Sequence, residues 1–200
     1  MERSNDRAFL SGIAAAEPEK SHEVKDGAAF YRFPLDVERL SGAVDRVNVI
    51  VRAETLELCP VREGDPVTLS GEVRSYNNRS GVGARLVIYV LARELRIEFS
   101  EPKNEIYLSG VLVKEPTYRR TPMGREISDI MLAVPRRYRR SDYLPIIVWG
   151  ARARETADWS VGAEAELKGR LQMRKYIKIE DGAETEKTAY EVSASEISLI

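Results

Sequence analysis

Short runs of apolar, β-branched residues recur along the chain, with polar turns between them. Such runs are typical of strands in an all-β domain. The clearest runs are 46–52, 86–91, 146–149 and 189–192. Turns rich in glycine, proline and asparagine separate the runs, at 26–27, 63–66, 77–81, 123–124 and 181–182. Only short helices are predicted, at 53–58 and 152–158, so the pattern favours small barrels or sandwiches.

The chain contains one sequence pattern twice. Phe9-Leu10-Ser11-Gly12-Ile13 precedes Glu17-Pro18, and 98 residues later Tyr107-Leu108-Ser109-Gly110-Val111 precedes Glu115-Pro116. A repeat of this length is a whole domain, because the units of solenoids and propellers recur every roughly 20–50 residues. We call the two halves the first and the second repeat.

The spacing of the two repeats changes near their ends. Gly71 recurs as Gly169 at the offset of 98, whereas Ala92 recurs as Ala194 at an offset of 102. The extra residues are therefore predicted to lie in a longer hairpin loop of the second repeat.

The duplication decides how many domains the 200 residues form. With 43% hydrophobic residues, the chain could build one large domain or two small ones, and two matching halves indicate two domains of roughly 95 residues. We predict a first domain at 1–99, a linker at 100–104 and a second domain at 105–200.

The composition argues against several classes of protein. Cys59 and His22 are the only residues of their types, so an internal disulfide is excluded and we expect no metal or other cofactor. No phosphate-binding loop or nucleophile with a recognisable base occurs, so we expect no enzyme. No apolar run approaches the length of a membrane span, and we expect a cytoplasmic protein.

Positive charge is concentrated in the second repeat. The chain as a whole has a net charge of −1, yet residues 119–140 contain seven arginines against Glu126 and Asp129. A local patch matters more than the total charge for a protein that follows a phosphate backbone. The patch therefore makes a polyanion a candidate ligand.

A five-stranded barrel with one helix between strands three and four is an OB-fold. Residues 104–199 are similar to the DNA-binding domain of the bacterial single-stranded DNA-binding protein family. Matching segments follow in the family's order at 104–110, 115–124, 132–133, 147–150, 161–162 and 167–176. The last segment, Leu-Lys-Gly-Arg-Leu-Gln-Met-Arg-Lys-Tyr, resembles the family's G-x-L-x-x-R-x-aromatic strand.

The resemblance implies an all-β chain of two tandem OB-folds, as in family members that carry two per chain. It also implies binding of single-stranded DNA without sequence preference, in replication, recombination or repair, near the nucleoid. Those members dimerise and display four OB-folds, so we expect a homodimer. The family's acidic tail recruits partner enzymes, and because this chain stops at Ile200 we do not expect recruitment of that kind.

The expected site residues combine cations for phosphates with flat rings for bases. Tyr143 and Trp149 are six residues apart in one strand, so both side chains share a face about 20 Å long at roughly 3.3 Å per residue. Ile146 and Val148 have the opposite parity and fill the barrel, while Ile147 shares the ring side. The predicted set is Tyr118, Arg119, Arg120, Arg125, Arg136, Arg137, Tyr138, Arg139, Tyr143, Trp149, Arg174 and Tyr176.

The first repeat departs from this pattern. Arg46 stands at the position of Tyr143, and Arg52 stands at the position of Trp149, so we expect a weaker, auxiliary site. Its candidates are Tyr31, Arg46, Arg52, Arg74, Tyr76 and Arg79. The first repeat could equally serve in domain pairing and assembly. Two other functions stay open for the whole chain, namely an adaptor of the primosome type without strong nucleic-acid binding, and an RNA-binding protein.

Overall fold

The structure is a computed structural model that describes residues 5–80, 84–180 and 183–200, without the side chains of 178–180 and 183. The strands are β1 (Asp6–Ala14), β2 (Glu19–Glu23), β3 (Ala29–Glu38), β4 (Val44–Arg52), β5 (Pro66–Asn77), β6 (Leu86–Ile97), β7 (Lys103–Leu112), β8 (Thr117–Arg120), β9 (Glu126–Arg136), β10 (Arg140–Trp149), β11 (Glu164–Glu180) and β12 (Ala183–Leu199). The helices are α1 (Ala53–Leu58) and α2 (Ala151–Thr156). The predicted all-β class is confirmed.

Both predicted helices are present. The helix predicted at 53–58 has those bounds, whereas the one predicted at 152–158 begins and ends earlier, at 151–156. Gly150 has a φ of 67°, which glycine tolerates without steric cost. The chain can therefore turn out of β10 and enter α2 at the next residue.

The chain divides into two compact units. The first contains Asp6–Arg74 and Tyr89–Ile106, and the second contains Asn5, Ser75–Ile88 and Tyr107–Ile200. The units follow the two sequence repeats with three exceptions. Asn5 and Ser75–Ile88, the tip of the β5–β6 hairpin, group with the second repeat, and the beginning of β7 up to Ile106 groups with the first. The exact domain bounds at 1–99 and 105–200 stay a prediction.

The first unit is a closed barrel of five strands. β1 pairs with β3 and β5, β3 pairs with β4, and β4 pairs in parallel with β6, which lies beside β5. α1 follows the third barrel strand, β4, and precedes the fourth, β5. The short edge strand β2, which the pattern did not predict, extends the sheet beside β3.

The second unit repeats this order with β7, β9, β10, β12 and β11 as the barrel and β8 as the added edge strand. Its core comes from every second position along the strands, where the side chains face inward. Examples are Leu132, Leu144, Ile146 and Leu171, each almost fully buried. A fully buried aliphatic side chain of this size contributes about 1.5–3 kcal/mol. The predicted OB-fold architecture is confirmed in both repeats.

Glycines mark equivalent strand contacts in the two barrels. A Cβ built on Gly71 would lie 2.2 Å from the carbonyl oxygen of Leu91, and a Cβ built on Gly169 would lie 2.4 Å from that of Ser193. The next neighbours are Ala92 and Ala194. These contacts match the two offsets, 98 and 102, and confirm that the longer hairpin belongs to the second repeat. The prediction of a longer loop is wrong, because the extra residues lengthen the strands: β11 and β12 have 17 residues each, against 12 each in β5 and β6.

Candidate nucleic-acid interface

Rings and cations lie together on one outer face of β8, β9 and β10. Trp149 is directly opposite Ile127, which is directly opposite Arg119 on β8. Directly opposite residues share a face of the sheet. Trp149 is 38% exposed and Ile127 only 2%, while Arg119 is exposed and its Nε donates to Asp129 Oδ2 at 2.8 Å. An exposed indole and a guanidinium thus flank an apolar floor.

Tyr143 lies on the same face of β10. Tyr143 is 50% exposed, and its partner across the ladder is the small Ala133. Ile147 lies between the two rings along β10, has the same parity and is buried on this face. Ile146 and Val148 are buried on the other face. Tyr143 and Trp149 therefore stand on a mostly aliphatic strip, and both residues are partly exposed to solvent.

A three-residue turn at the β9–β10 junction presents Tyr138. Arg136 pairs with Arg140, so Arg137, Tyr138 and Arg139 form the whole connection. Tyr138 and Arg139 have φ values of 62° and 54°, and Tyr138 is 91% exposed. Left-handed backbone costs a non-glycine residue roughly 1–2 kcal/mol. In the part of the chain that the structure describes, Arg137, Arg139 and Arg140 are exposed without a carboxylate at salt-bridge distance.

Arg136 has a different environment from its neighbours. Its Nη1 lies 3.2 Å from Oδ1 of Asp142, a fully buried carboxylate. The first repeat contains the equivalent pair, in which Arg39 Nε donates to Asp45 Oδ2 at 2.7 Å and this hydrogen bond raises the pKa of Arg39. A buried carboxylate needs such a partner. Arg136 thus has a role in the fold.

Tyr118 and Arg120 lie on the opposite face of β8 from Arg119, because side chains alternate along a strand. The Tyr118 hydroxyl donates to Glu126 Oε1 at 2.7 Å, and Arg120 Nη2 donates to the same oxygen at 3.3 Å. Arg154 of α2 lies 3.0 Å from Glu126 Oε2. The hydrogen bond from Tyr118, with charge from Arg154 and Arg120, lowers the pKa of Glu126. The structure does not bring this cluster together with Trp149.

Arg174 and Tyr176 form a neighbouring feature on β11. The Arg174 guanidinium carbon is 5.5 Å from the centroid of the Tyr176 ring, and Arg174 Nε is 3.6 Å from Glu191. Glu191 also accepts a hydrogen bond of 2.8 Å from Gln172 Nε2. A ring backed by a cation is suited to stacking. Arg125, the remaining predicted cation, is exposed. Its backbone N–H donates to Thr121 Oγ1 across the turn between β8 and β9.

The predicted arginines of the first repeat are mostly paired. Arg46 makes two hydrogen bonds of 2.7 Å to Asp36, its partner across the β3–β4 ladder. Arg74 is buried and pairs with Asp6 at 3.0 Å and with Glu72. Tyr31 is opposite the buried Val51 and lines a shallow pocket at α1, so it lies on the other face from Arg52.

Sequence reasoning missed a stacked row in the first repeat. His22 is opposite Phe30, which is opposite Arg52. The His22 and Phe30 rings lie 4.8 Å apart and are inclined by 4°, and the Arg52 guanidinium carbon is 5.5 Å from the Phe30 centroid. Only the strand register reveals this row, because His22 lies on the unpredicted strand β2.

The last two candidates of the first repeat belong to the second unit. Tyr76 and Arg79 follow Ser75, whose N–H donates to Asp142 Oδ1 at 2.7 Å. Tyr143 N–H in turn donates to Ser75 Oγ at 2.9 Å. These bonds join the hairpin tip to the beginning of β10.

Within the described ranges, no group of three His, Cys, Asp or Glu side chains is placed to hold a metal ion. Neither six-residue helix, nor any other helix in the described residues, has the length and apolarity needed to cross a membrane.

Solved structures share the fold of this chain over its whole length. A deletion mutant of the single-stranded DNA binding protein from Thermus aquaticus has a TM-score of 0.79 at 19% identity, covering 100% of this chain and 96% of that chain. The wild-type Thermus aquaticus protein has a TM-score of 0.78, also at 19% identity, covering 98% and 92%. At this level of identity the likeness supports the fold alone.

Sequence comparison identifies the family. The model of the single-strand binding protein family matches residues 103–200. Single-stranded DNA-binding protein 3 of Clostridium acetobutylicum is 35% identical over 104 residues, which are 48% of this chain and 70% of the relative. Single-stranded DNA-binding protein 2 of that organism is also 35% identical over 104 residues, covering 76% of its length. This chain belongs to the single-strand binding protein family.

Proposed function

We propose that this protein binds single-stranded DNA without sequence preference and acts in replication, recombination or repair as a binding protein without catalytic activity. The observation that carries the proposal is the row in which exposed Trp149 and Arg119 flank the buried Ile127, with Tyr143 on the same face. The names of the two Clostridium acetobutylicum relatives support the same ligand.

The proposed mechanism has two steps. Exposed Arg137, Arg139 and Arg140 attract the phosphates, and the bases then stack on Tyr143 and Trp149. Each stacked base contributes about 1–3 kcal/mol and tolerates any sequence, because every base has a π-face. Tyr138 and Tyr176 offer further rings at the turn and on β11. Arg136 supports the mechanism indirectly, by holding Asp142.

Tryptophan fluorescence tests the proposal. The chain has two tryptophans, Trp149 in the row on β10 and Trp159, which follows α2. We expect oligothymidylate to quench the emission, and Trp149→Phe to remove that response. The logarithm of the association constant should fall linearly with the logarithm of salt concentration, with a slope of about −0.7 per neutralised phosphate. The absence of quenching at low salt would refute DNA binding and favour the adaptor function.

RNA binding is tested in the same titration with oligouridylate of equal length. The ring and cation site acts on phosphates and base faces, so it permits both polymers. Tighter binding of oligouridylate than of oligothymidylate would favour the RNA-binding function over the one proposed.

We also propose that the protein is a homodimer that displays four OB-folds, and that it works in the cytoplasm near the nucleoid. Light scattering coupled to size exclusion should give about twice the chain mass of 22.6 kDa. A mass equal to one chain at the concentrations used for binding would contradict the dimer.

A further inference from the structure

Two reciprocal hydrogen bonds hold the β5–β6 hairpin tip against β10, and we call Ser75, Asp142 and Tyr143 the hairpin latch. Ser75 N–H donates to Asp142 Oδ1 at 2.7 Å, and Tyr143 N–H donates to Ser75 Oγ at 2.9 Å. Asp142 is fully buried and also binds Arg136. A charged acceptor makes the first bond stronger than a neutral one, so the latch fixes the hairpin at a defined position.

The latch occupies a gap in the strand pairing of the second unit. β10 pairs with β12 over Ile146–Val148, so the backbone of Tyr143 lies before the region in which β12 covers that edge. A backbone N–H of a buried sheet needs a partner. Ser75 Oγ is the partner of the Tyr143 N–H. Tyr143 is also the residue of β10 that presents an exposed ring at this end of the face.

The hairpin brings a second ring and two cations to this place. Tyr76 directly follows Ser75, so their Cα atoms are about 3.8 Å apart, and Tyr76 is 51% exposed. Arg79 and Arg85 are exposed, and Asn78 N–H donates to the Arg85 carbonyl oxygen at 2.7 Å, which closes the hairpin. Tyr143 and Tyr76 are thus two exposed tyrosines whose backbones lie at the latch.

The latch is particular to the hairpin of the first repeat. At the offset of 98, Ser75 corresponds to Met173 and Tyr76 to Arg174. Methionine has no hydroxyl group, so Met173 could not accept a backbone N–H in the way that Ser75 Oγ accepts the N–H of Tyr143. The hairpin of the second repeat therefore lacks the group that this contact requires.

We infer that the first-repeat hairpin completes the DNA site of the second barrel, with Tyr76 stacking the base next to the one on Tyr143 and with Arg79 and Arg85 contacting phosphates. This inference rests on the proposed function and assigns the Ser75 hydroxyl a positioning role. Tyr76 and Arg79, which the sequence placed in an auxiliary site, would then belong to the main one.

A relocated fluorophore tests where the DNA lies. In the Trp149→Phe chain, Tyr76→Trp places a reporter on the hairpin, and Tyr31→Trp places a matched reporter at a tyrosine of the other unit. We expect oligothymidylate to quench the emission at 76, with the midpoint that fluorescence anisotropy of a labelled oligothymidylate gives for the same variant, and to leave the emission at 31 unchanged.

The outcomes separate the inference from the function on which it rests. Quenching of Trp149 in the unmodified chain without quenching at 76 would overturn the inference and leave DNA binding intact. Equal quenching at 76 and 31 would also overturn it, because the hairpin would then have no special place. Absence of quenching in the unmodified chain would refute the function itself.

Ser75 variants test the positioning role. Ser75→Ala removes the acceptor of Tyr143 N–H, and a neutral hydrogen bond is worth about 0.5–1.5 kcal/mol. We expect faster amide hydrogen exchange at Tyr143 and about 2- to 10-fold weaker binding of oligothymidylate, both restored by Ser75→Thr. Faster exchange with unchanged affinity would show that the latch serves the fold alone and would overturn the inference.

Discussion

The two barrels place different side chains at equivalent positions of the same sheet. On the outer face, the row Trp149–Ile127–Arg119 of the second repeat corresponds to Arg52–Phe30–His22 of the first. In the neighbouring part of the face, Tyr143 opposite Ala133 corresponds to Arg46 opposite Asp36. The first repeat thus has an ion pair where the second has an exposed ring beside a small residue.

Inside the barrels the two repeats agree. Both keep the glycines at strand contacts, and both hold a buried aspartate with an arginine six residues before it, Arg39–Asp45 and Arg136–Asp142. Close packing constrains the interior of a barrel, while an outer face is free to change. The difference between the repeats therefore indicates function, and the agreement indicates architecture.

The largest expected effects test the shared interior. Gly71→Ala and Gly169→Ala would each force a methyl group against a carbonyl oxygen, at 2.2 Å and 2.4 Å in the unrelaxed structure. Overpacking of this kind typically costs about 1–3 kcal/mol. We expect both variants to lower the free energy of unfolding by similar amounts in urea denaturation. A loss in one barrel alone would contradict the equivalence of the two interiors.

The next effect tests the outer face. Tyr143→Ala should weaken oligothymidylate binding by about 1–3 kcal/mol, roughly 5- to 150-fold, because it removes a stacking ring. Arg46→Ala, at the equivalent position, should cost less because Asp36 already neutralises the guanidinium. Fluorescence titration of both variants measures the difference, and equal losses would show that the two repeats contribute alike.

Much of the architecture could be predicted from the sequence because it depends on local patterns. The alternation around Ile146 and Val148 identified the inward side of β10, and the change of offset between Gly71 and Ala92 located the longer hairpin. The edge strands β2 and β8 were missed since each is short and polar, so neither has an apolar period that could be recognised.

The site was harder to predict because charge pairing depends on three-dimensional neighbours. A cluster of arginines does not reveal that Arg136 binds a buried aspartate across a turn, whereas Arg137 is exposed. The sequence also gives no sign that Ser75 would meet Asp142, 67 positions away. Such contacts follow from strand register, which a single sequence leaves open.

A smaller effect concerns the cations of the two repeats. Arg137→Gln with Arg139→Gln should make the salt dependence of DNA binding shallower by about 1.4, since each lost phosphate contact reduces the slope by about 0.7. The matched control is Arg32→Gln with Arg46→Gln, because those arginines pair with Glu19 and Asp36. We expect the control to change the slope less, and an equal change would assign phosphate contacts to both repeats.

The smallest expected effect is a pH dependence confined to the second repeat. The pKa of Glu126 is lowered from its ordinary value of 4.5, first by the Tyr118 hydroxyl and then by Arg154 and Arg120. A carboxylate with a lowered pKa stabilises the folded state above its ordinary pKa, and this contribution is lost as pH falls through the folded-state value. Ala29 occupies the equivalent place in the first repeat, so the first repeat has no carboxylate at the position of Glu126. Hydrogen exchange at pH values from 6 down to about 3 should therefore show β8 losing protection, and Glu126→Gln should abolish the pH dependence. Parallel loss in β2 would instead indicate general acid destabilisation of both barrels.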